Sequence, residues 1–197
     1  MKAIVQEQYG SLDALEVQEV ERPAAGDDEV LVRVRAASAH PDVWHVVCGR
    51  PYVLRLMGAG FFKPKNPIPG TDMAGVVEAV GKNVTQFQPG DEVFGETIGS
   101  MQWINGGAFA EYVTVAEECL LIPHFFKLMF LSLFVKQLPK PNLSMPSKKD
   151  TMAVFREFLE AGRITPVIDR TYPLSKASEA IRYLMEGEPT GRVVITP

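Results

Sequence analysis

PGTDMAGVVEAVG at 69–81, continued by FQPGDEVFG at 87–95, is the stretch that decides the fold. Its β-branched and alanine residues lie between glycine and proline turn signals, the pattern of short strands joined by tight turns. Reading outward, Met1 to Val5, Leu15 to Val20 and Glu29 to Ala37 show the same alternation or β-branched enrichment. PAAGDD at 23–28, GKN at 81–83 and PGD at 89–91 separate these segments. Gly70, Gly75, Gly81, Gly90 and Gly95 are expected to serve the backbone, by positive φ or close strand approach. NGGAFAEYVTVAEECLLIP at 105–123 adds a turn and a further alternating strand. Strands at this spacing predict a mainly β fold with peripheral helices, a barrel or sandwich.

Composition limits the partners. The chain of 197 residues is 46% hydrophobic, enough for one good core but hardly two full domains. Its formal charge of −4 gives no overall positive field to attract nucleic acid or an anionic membrane. Cys48 and Cys119 form neither a disulfide framework nor a zinc ribbon, and they fit a reducing compartment as inert core thiols. MKAIVQEQYG alternates like a strand and lacks the basic start and apolar run of a signal peptide, so the cytoplasm is expected.

Composition shifts after residue 123. HFFKLMFLSLFVKQLPKPNLSMPSKKD at 124–150 opens apolar and ends as a Pro, Ser and Lys linker. The apolar block is shorter than the ~20 residues that span a bilayer, so no transmembrane segment is expected. Its large side chains would each forfeit about 1.5–3 kcal/mol in water. The block at 125–135 is therefore either core, a self-association surface or a partner contact. Beyond it, TMAVFREFLEAG at 151–162 has one apolar helical face, and PVIDRTYPL at 166–174 is extended. SKASEAIRYLMEG at 175–187 is a second amphipathic helix with Ser175 as expected cap, followed by the closing strand GRVVITP.

MKAIVQEQYG, VLVRVRAASAHPDVWHVVCGRP, KNPIPGTDMAGVVEAVGKNVTQFQPGDEVFG and GGAFAEYV together resemble the catalytic, GroES-like domain of zinc-independent quinone oxidoreductases and enone reductases. These belong to the medium-chain dehydrogenase/reductase superfamily. ITPVIDRTYPLSKASEAIRYLMEGEPTGRVVITP resembles the tail that returns to that domain in the same proteins. The resemblance implies a partly open β-barrel of three pieces: a catalytic barrel at 1–123, an apolar junction at 124–150, and helices and strands at 151–197 that rejoin the barrel. It also implies NADPH-dependent reduction of quinones or conjugated carbonyl compounds. In that family a doubly wound nucleotide domain stands between the two pieces, and this sequence passes from Pro123 almost directly into a late segment.

That gap bears on the cofactor. Dinucleotides are held by a glycine-rich turn at a helix N-terminus, and the nearest pattern here, GAGFFK at 58–63, has neither the third glycine nor a helical sequel. No cofactor-binding residue is identifiable, and unaided turnover is not expected. Zinc-dependent relatives imply ligands near His40 and Gly70-Thr71-Asp72; Thr71 is no zinc ligand, so no metal is expected.

Zinc-independent relatives imply Asn-Pro-x-Asp-Trp where this chain has His40-Pro41-Asp42-Val43-Trp44. By that resemblance His40, Asp42, Trp44, Tyr52, Thr71 and Asp72 line the substrate cleft from a loop and a strand entrance. His40 or Tyr52 is then the group that donates a hydrogen bond or proton to a carbonyl. Purely structural roles stay open: core packing for Trp44, a loop cap for Tyr52, a backbone anchor for Asp72. A non-catalytic small-molecule or protein interaction module on the same barrel is the alternative function.

Overall fold

The computed structural model describes residues 1–53, 55–98, 104–121, 163 and 167–197. The apolar junction at 124–150 and the helix expected over 151–162 lie outside these residues. Nine strands and two α-helices follow in order among them: β1 Lys2–Gln6, β2 Leu15–Glu19, β3 Glu29–Ala39, α1 Pro41–Cys48, β4 Asp72–Val80, β5 Glu92–Glu96, β6 Tyr112–Ala116, β7 Leu120–Leu121, β8 Ile168–Pro173, α2 Ala177–Glu186 and β9 Arg192–Thr196.

β3 organises the molecule. One edge pairs antiparallel with β4 from Val30 to Ala37. The other edge carries β6 opposite Glu29–Arg33 and then β9 opposite Ala37–Ala39. Val30, Leu31 and Val32 are all buried, so this long strand is covered on both faces. Register shifts at Leu31/Val32 and Val34/Ala36 curl the β3–β4 ladder. The sheet runs β7-β5-β4-β3-β9-β8, with β6 attached to β3, and its end strands do not pair, so it is open rather than a closed barrel. β8 joins β9 in parallel; β1 and β2 form a separate antiparallel ribbon. Ala3 bridges to Ala110 and the Ile4 N–H donates to the Phe109 carbonyl at 2.9 Å, which fastens that ribbon to the main sheet.

Phe94, Phe109, Ile4, Met73, Ile181 and Ile195 are fully buried at the centre. Gly75 shows why the opening stretch is rich in glycine: a Cβ there would run into the Arg33 carbonyl of β3. Gly70 has φ +85° and lies under the Phe109 ring, so it supplies both a left-handed turn and the room for that ring.

Two local expectations are corrected. The segment after His40 is not a loop: Pro41–Cys48 is α-helix, with Pro41 in its first turn, Asp42 at its positive end and Gly49 in the left-handed C-cap conformation. Ser175 does not cap α2. A 3-10 turn over Leu174–Lys176 comes first, its Leu174 carbonyl accepting from the Ala177 N–H, and the α-helix begins at Ala177. The turn is drawn inward because Leu174 is a buried core residue.

Candidate functional site

Three chain segments converge where β3 ends. Ala37 of β3 faces Met73 of β4 on one side and Ile195 of β9 on the other. Continuing both ladders brings the start of β4, at Asp72, and the start of β9, at Arg192, to either side of Ser38–His40.

His40 is the residue at which β3 hands over to α1, in extended conformation with no side-chain cap bond. Its imidazole is therefore free to face the β4 entrance. There Nε2 lies 3.0 Å from Thr71 Oγ1 and 3.8 Å from Asp72 Oδ2, while Nδ1 lies 3.7 Å from Asp42 Oδ2. Thr71 Oγ1 donates to Asp72 Oδ1 at 3.4 Å. A hydroxyl that donates to a carboxylate accepts from the imidazole, so the hydrogen bonds run from His40 Nε2–H through Thr71 to Asp72. The His40 and Asp72 side chains are only 16% and 19% exposed, and Asp42 is 56% exposed. The ring thus sits between two carboxylates, Asp72 largely covered and Asp42 open to water.

Of the six residues expected from the sequence, His40, Asp42, Thr71 and Asp72 are brought together. Trp44 is half-buried, packs on the core cluster and meets the His45 ring edge-on at 5.0 Å. Tyr52 follows the left-handed turn at Gly49 that ends α1. It is 63% exposed and stacks on Arg55, whose guanidinium carbon is 4.9 Å from its ring centre. Among the described residues no hydrogen bond or ion pair links it to His40.

Two members of this neighbourhood were not legible in the sequence. Arg192 is half-buried at the start of β9, where burial draws its guanidinium below the usual arginine range and the Asp72 carboxylate acts in the opposite direction. Only the β3–β9 register reveals it, since residues 40 and 192 are remote in sequence. Thr97, whose N–H donates to the Thr71 carbonyl at 2.8 Å, has a buried hydroxyl with no hydrogen-bond partner among the described residues.

Among the described residues there is no group of three or more His, Cys, Asp or Glu disposed to hold a metal ion. Nor does a glycine-rich turn lead into either described α-helix: α1 follows His40 and α2 follows the Leu174–Lys176 turn. These residues do not fit a dinucleotide pyrophosphate. No described helix is long and apolar enough to cross a membrane.

Comparison with known proteins agrees with this fold. A family profile described as the alcohol dehydrogenase GroES-like domain matches residues 26–124. The chain is 38% identical over 123 residues to a chloroplastic quinone-oxidoreductase homolog of Spinacia oleracea, covering 62% of this chain and 34% of that protein. It is 34% identical over 131 residues to a chloroplastic NADPH-dependent alkenal/one oxidoreductase of Arabidopsis thaliana, covering 62% and 31%. The chain therefore spans about a third of the length of these curated relatives. Among solved structures, the quinone oxidoreductase of Coxiella burnetii superposes with a TM-score of 0.73 at 15% identity, over 100% of this chain and 99% of that one, which shows a shared fold. With half its length matched by that profile and its strands in the same fold, the chain belongs to the alcohol dehydrogenase GroES-like domain family of the medium-chain dehydrogenase/reductase superfamily.

Proposed function

We propose that this chain is the substrate-binding part of an NADPH-dependent quinone or enone oxidoreductase, and that it holds the carbonyl oxygen of a quinone or conjugated carbonyl compound at His40. The observation that carries this reading is the directed hydrogen-bond chain from His40 through Thr71 to Asp72. A carbonyl oxygen gains negative charge as the compound is reduced, and a preset donor is worth most where that charge develops. His40 Nε2–H is such a donor when the ring turns from Thr71 toward the ligand. Asp42 and Asp72 flank the ring, and the Thr71 hydroxyl is the alternative donor at the same spot.

One relative is named as NADPH-dependent, the alkenal/one oxidoreductase of Arabidopsis thaliana. The described residues do not fit that group, and in this proposal the chain does not turn over alone. In this proposal the compartment is the cytoplasm, a reading supported by a chain whose two cysteines, Cys48 and Cys119, form no disulfide framework. Its exposed apolar residues favour a second reading, a non-catalytic interaction module on the same fold.

The test is nuclear magnetic resonance of the ring nitrogens of His40 during addition of 2-cyclohexenone to the full chain. A saturable shift at His40 that is lost in His40→Ala, with His45 unmoved, is the expected result. Equal small shifts at all histidines refute the assignment.

A further inference from the structure

The segment from Val43 to Thr71 contains no Asp or Glu but holds Arg50, Arg55, Lys63 and Lys65, in a chain whose formal charge is −4. Net charge hides this local excess. Tyr52, Val53, Leu56, Phe61 and Phe62 lie in the same segment and are 50% to 84% exposed. Large apolar side chains are seldom left in water as a contiguous group without a partner to cover them.

The lobe that carries them is tied down from within. Arg55 is held between two aromatic rings, its guanidinium carbon 4.4 Å from the Tyr9 centroid and 4.9 Å from that of Tyr52. Its Nε donates to the Gly49 carbonyl at 3.0 Å. The Tyr9 hydroxyl lies 2.9 Å from the carbonyls of both Ala59 and Gly60, and the Lys65 N–H donates to the Ala59 carbonyl at 3.0 Å. The exposed side chains thus project from a braced turn. Phe61 and Phe62 meet edge to face at 4.8 Å and form its most apolar point. Arg50, Lys63 and Lys65 are exposed, and none pairs with a carboxylate among the described residues.

From these observations we propose that the lobe at 50–65 docks the protein on an anionic lipid surface. The order along the chain is basic, apolar and aromatic, then basic. It allows the centre of the lobe to enter the interfacial region while Arg50, Lys63 and Lys65 stay level with lipid phosphates. Aromatic rings favour that depth, and lysine stems reach from it to the headgroups. A neutral bilayer matches only the apolar half of this surface, whereas an anionic one matches both halves. The interaction is peripheral and does not depend on the reduction chemistry proposed for His40.

Cosedimentation of the full chain with phosphatidylcholine vesicles, with and without phosphatidylserine, tests the proposal. Preferential pelleting with the anionic vesicles, weakened by added salt, is expected. The double variant Lys63→Gln, Lys65→Gln should bind about thirtyfold more weakly, at about fivefold per basic residue. Phe61→Ser with Phe62→Ser should abolish pelleting, and all these side chains are exposed, so thermal midpoints should hold. Pelleting that ignores phosphatidylserine, or that survives both double variants, overturns the proposal. So does an absence of pelleting accompanied by a fall in oligomer mass in the phenylalanine variant, which would make the lobe a protein–protein surface.

Discussion

His40 shows how one substitution changes a site's chemistry. Where the related pattern has asparagine, an imidazole here reaches Thr71 at 3.0 Å and stands within 4 Å of two carboxylates. His40→Asn should keep the fold but weaken 2-cyclohexenone binding several-fold, because the shorter amide does not carry a donor as far toward Thr71 as the imidazole does; an unchanged titration would show that the imidazole holds no ligand. Gln6 is the structural counterpart. It is 1% exposed, donates to the Val47 carbonyl of α1 at 2.6 Å and accepts from Asn105 Nδ2 at 3.2 Å. Gln6→Leu preserves volume but removes both bonds, leaving the Val47 carbonyl with the Gly10 N–H and Asn105 Nδ2 with the Asn66 carbonyl, and urea unfolding should show a loss of about 1 kcal/mol. Cys48, half-buried at the end of α1, has its thiol pushed up by burial, with Arg50 acting weakly against this. It should alkylate slowly at neutral pH.

At the scale of elements, α1 carries the site and its two ends are set by different rules. Gly49 has φ +61° and faces the Tyr9 ring and Arg55. Gly49→Ala should cost about 1–2 kcal/mol for the left-handed conformation alone, and more once the ring is displaced, as read by urea unfolding. The Glu117 carboxylate is held below its usual range by the backbone N–H groups of Gln86 and Thr85, which donate to Oε1 at 2.6 and 2.8 Å. A depressed carboxylate stabilises the fold above its unfolded pKa, and the stabilisation is lost as pH falls through the lowered folded value. The thermal midpoint of Glu117→Gln should therefore lie below wild type at neutral pH and converge with it in strong acid; a constant gap would show that the charge plays no part. The strands were legible in the sequence because alternation and glycine turns are local signals. Pro41, Asp42 and Gly49 also marked both ends of α1, but eight residues with consecutive valines and a tryptophan lack the length that makes helical periodicity plain. The meeting of Asp72 and Arg192 beside His40 was not legible at all, because it depends on β3 pairing with β4 on one edge and β9 on the other.

At the scale of the whole molecule, the open sheet collects a polar cluster at one end of β3 and leaves a basic, aromatic lobe beyond the far end of α1. The first suits a carbonyl compound and the second a charged lipid surface. Neither supplies the glycine turn that a dinucleotide needs, and the chain spans about a third of its curated relatives. Under the proposed function, this chain contributes the substrate side of the reaction and receives reducing equivalents from elsewhere. Titration of NADPH, followed by its own fluorescence, into the purified 197-residue chain tests that division most directly. The expected result is a linear response with no saturation through the micromolar range. Saturable binding at micromolar or tighter affinity would contradict it, and would mean that these residues build a phosphate site of their own.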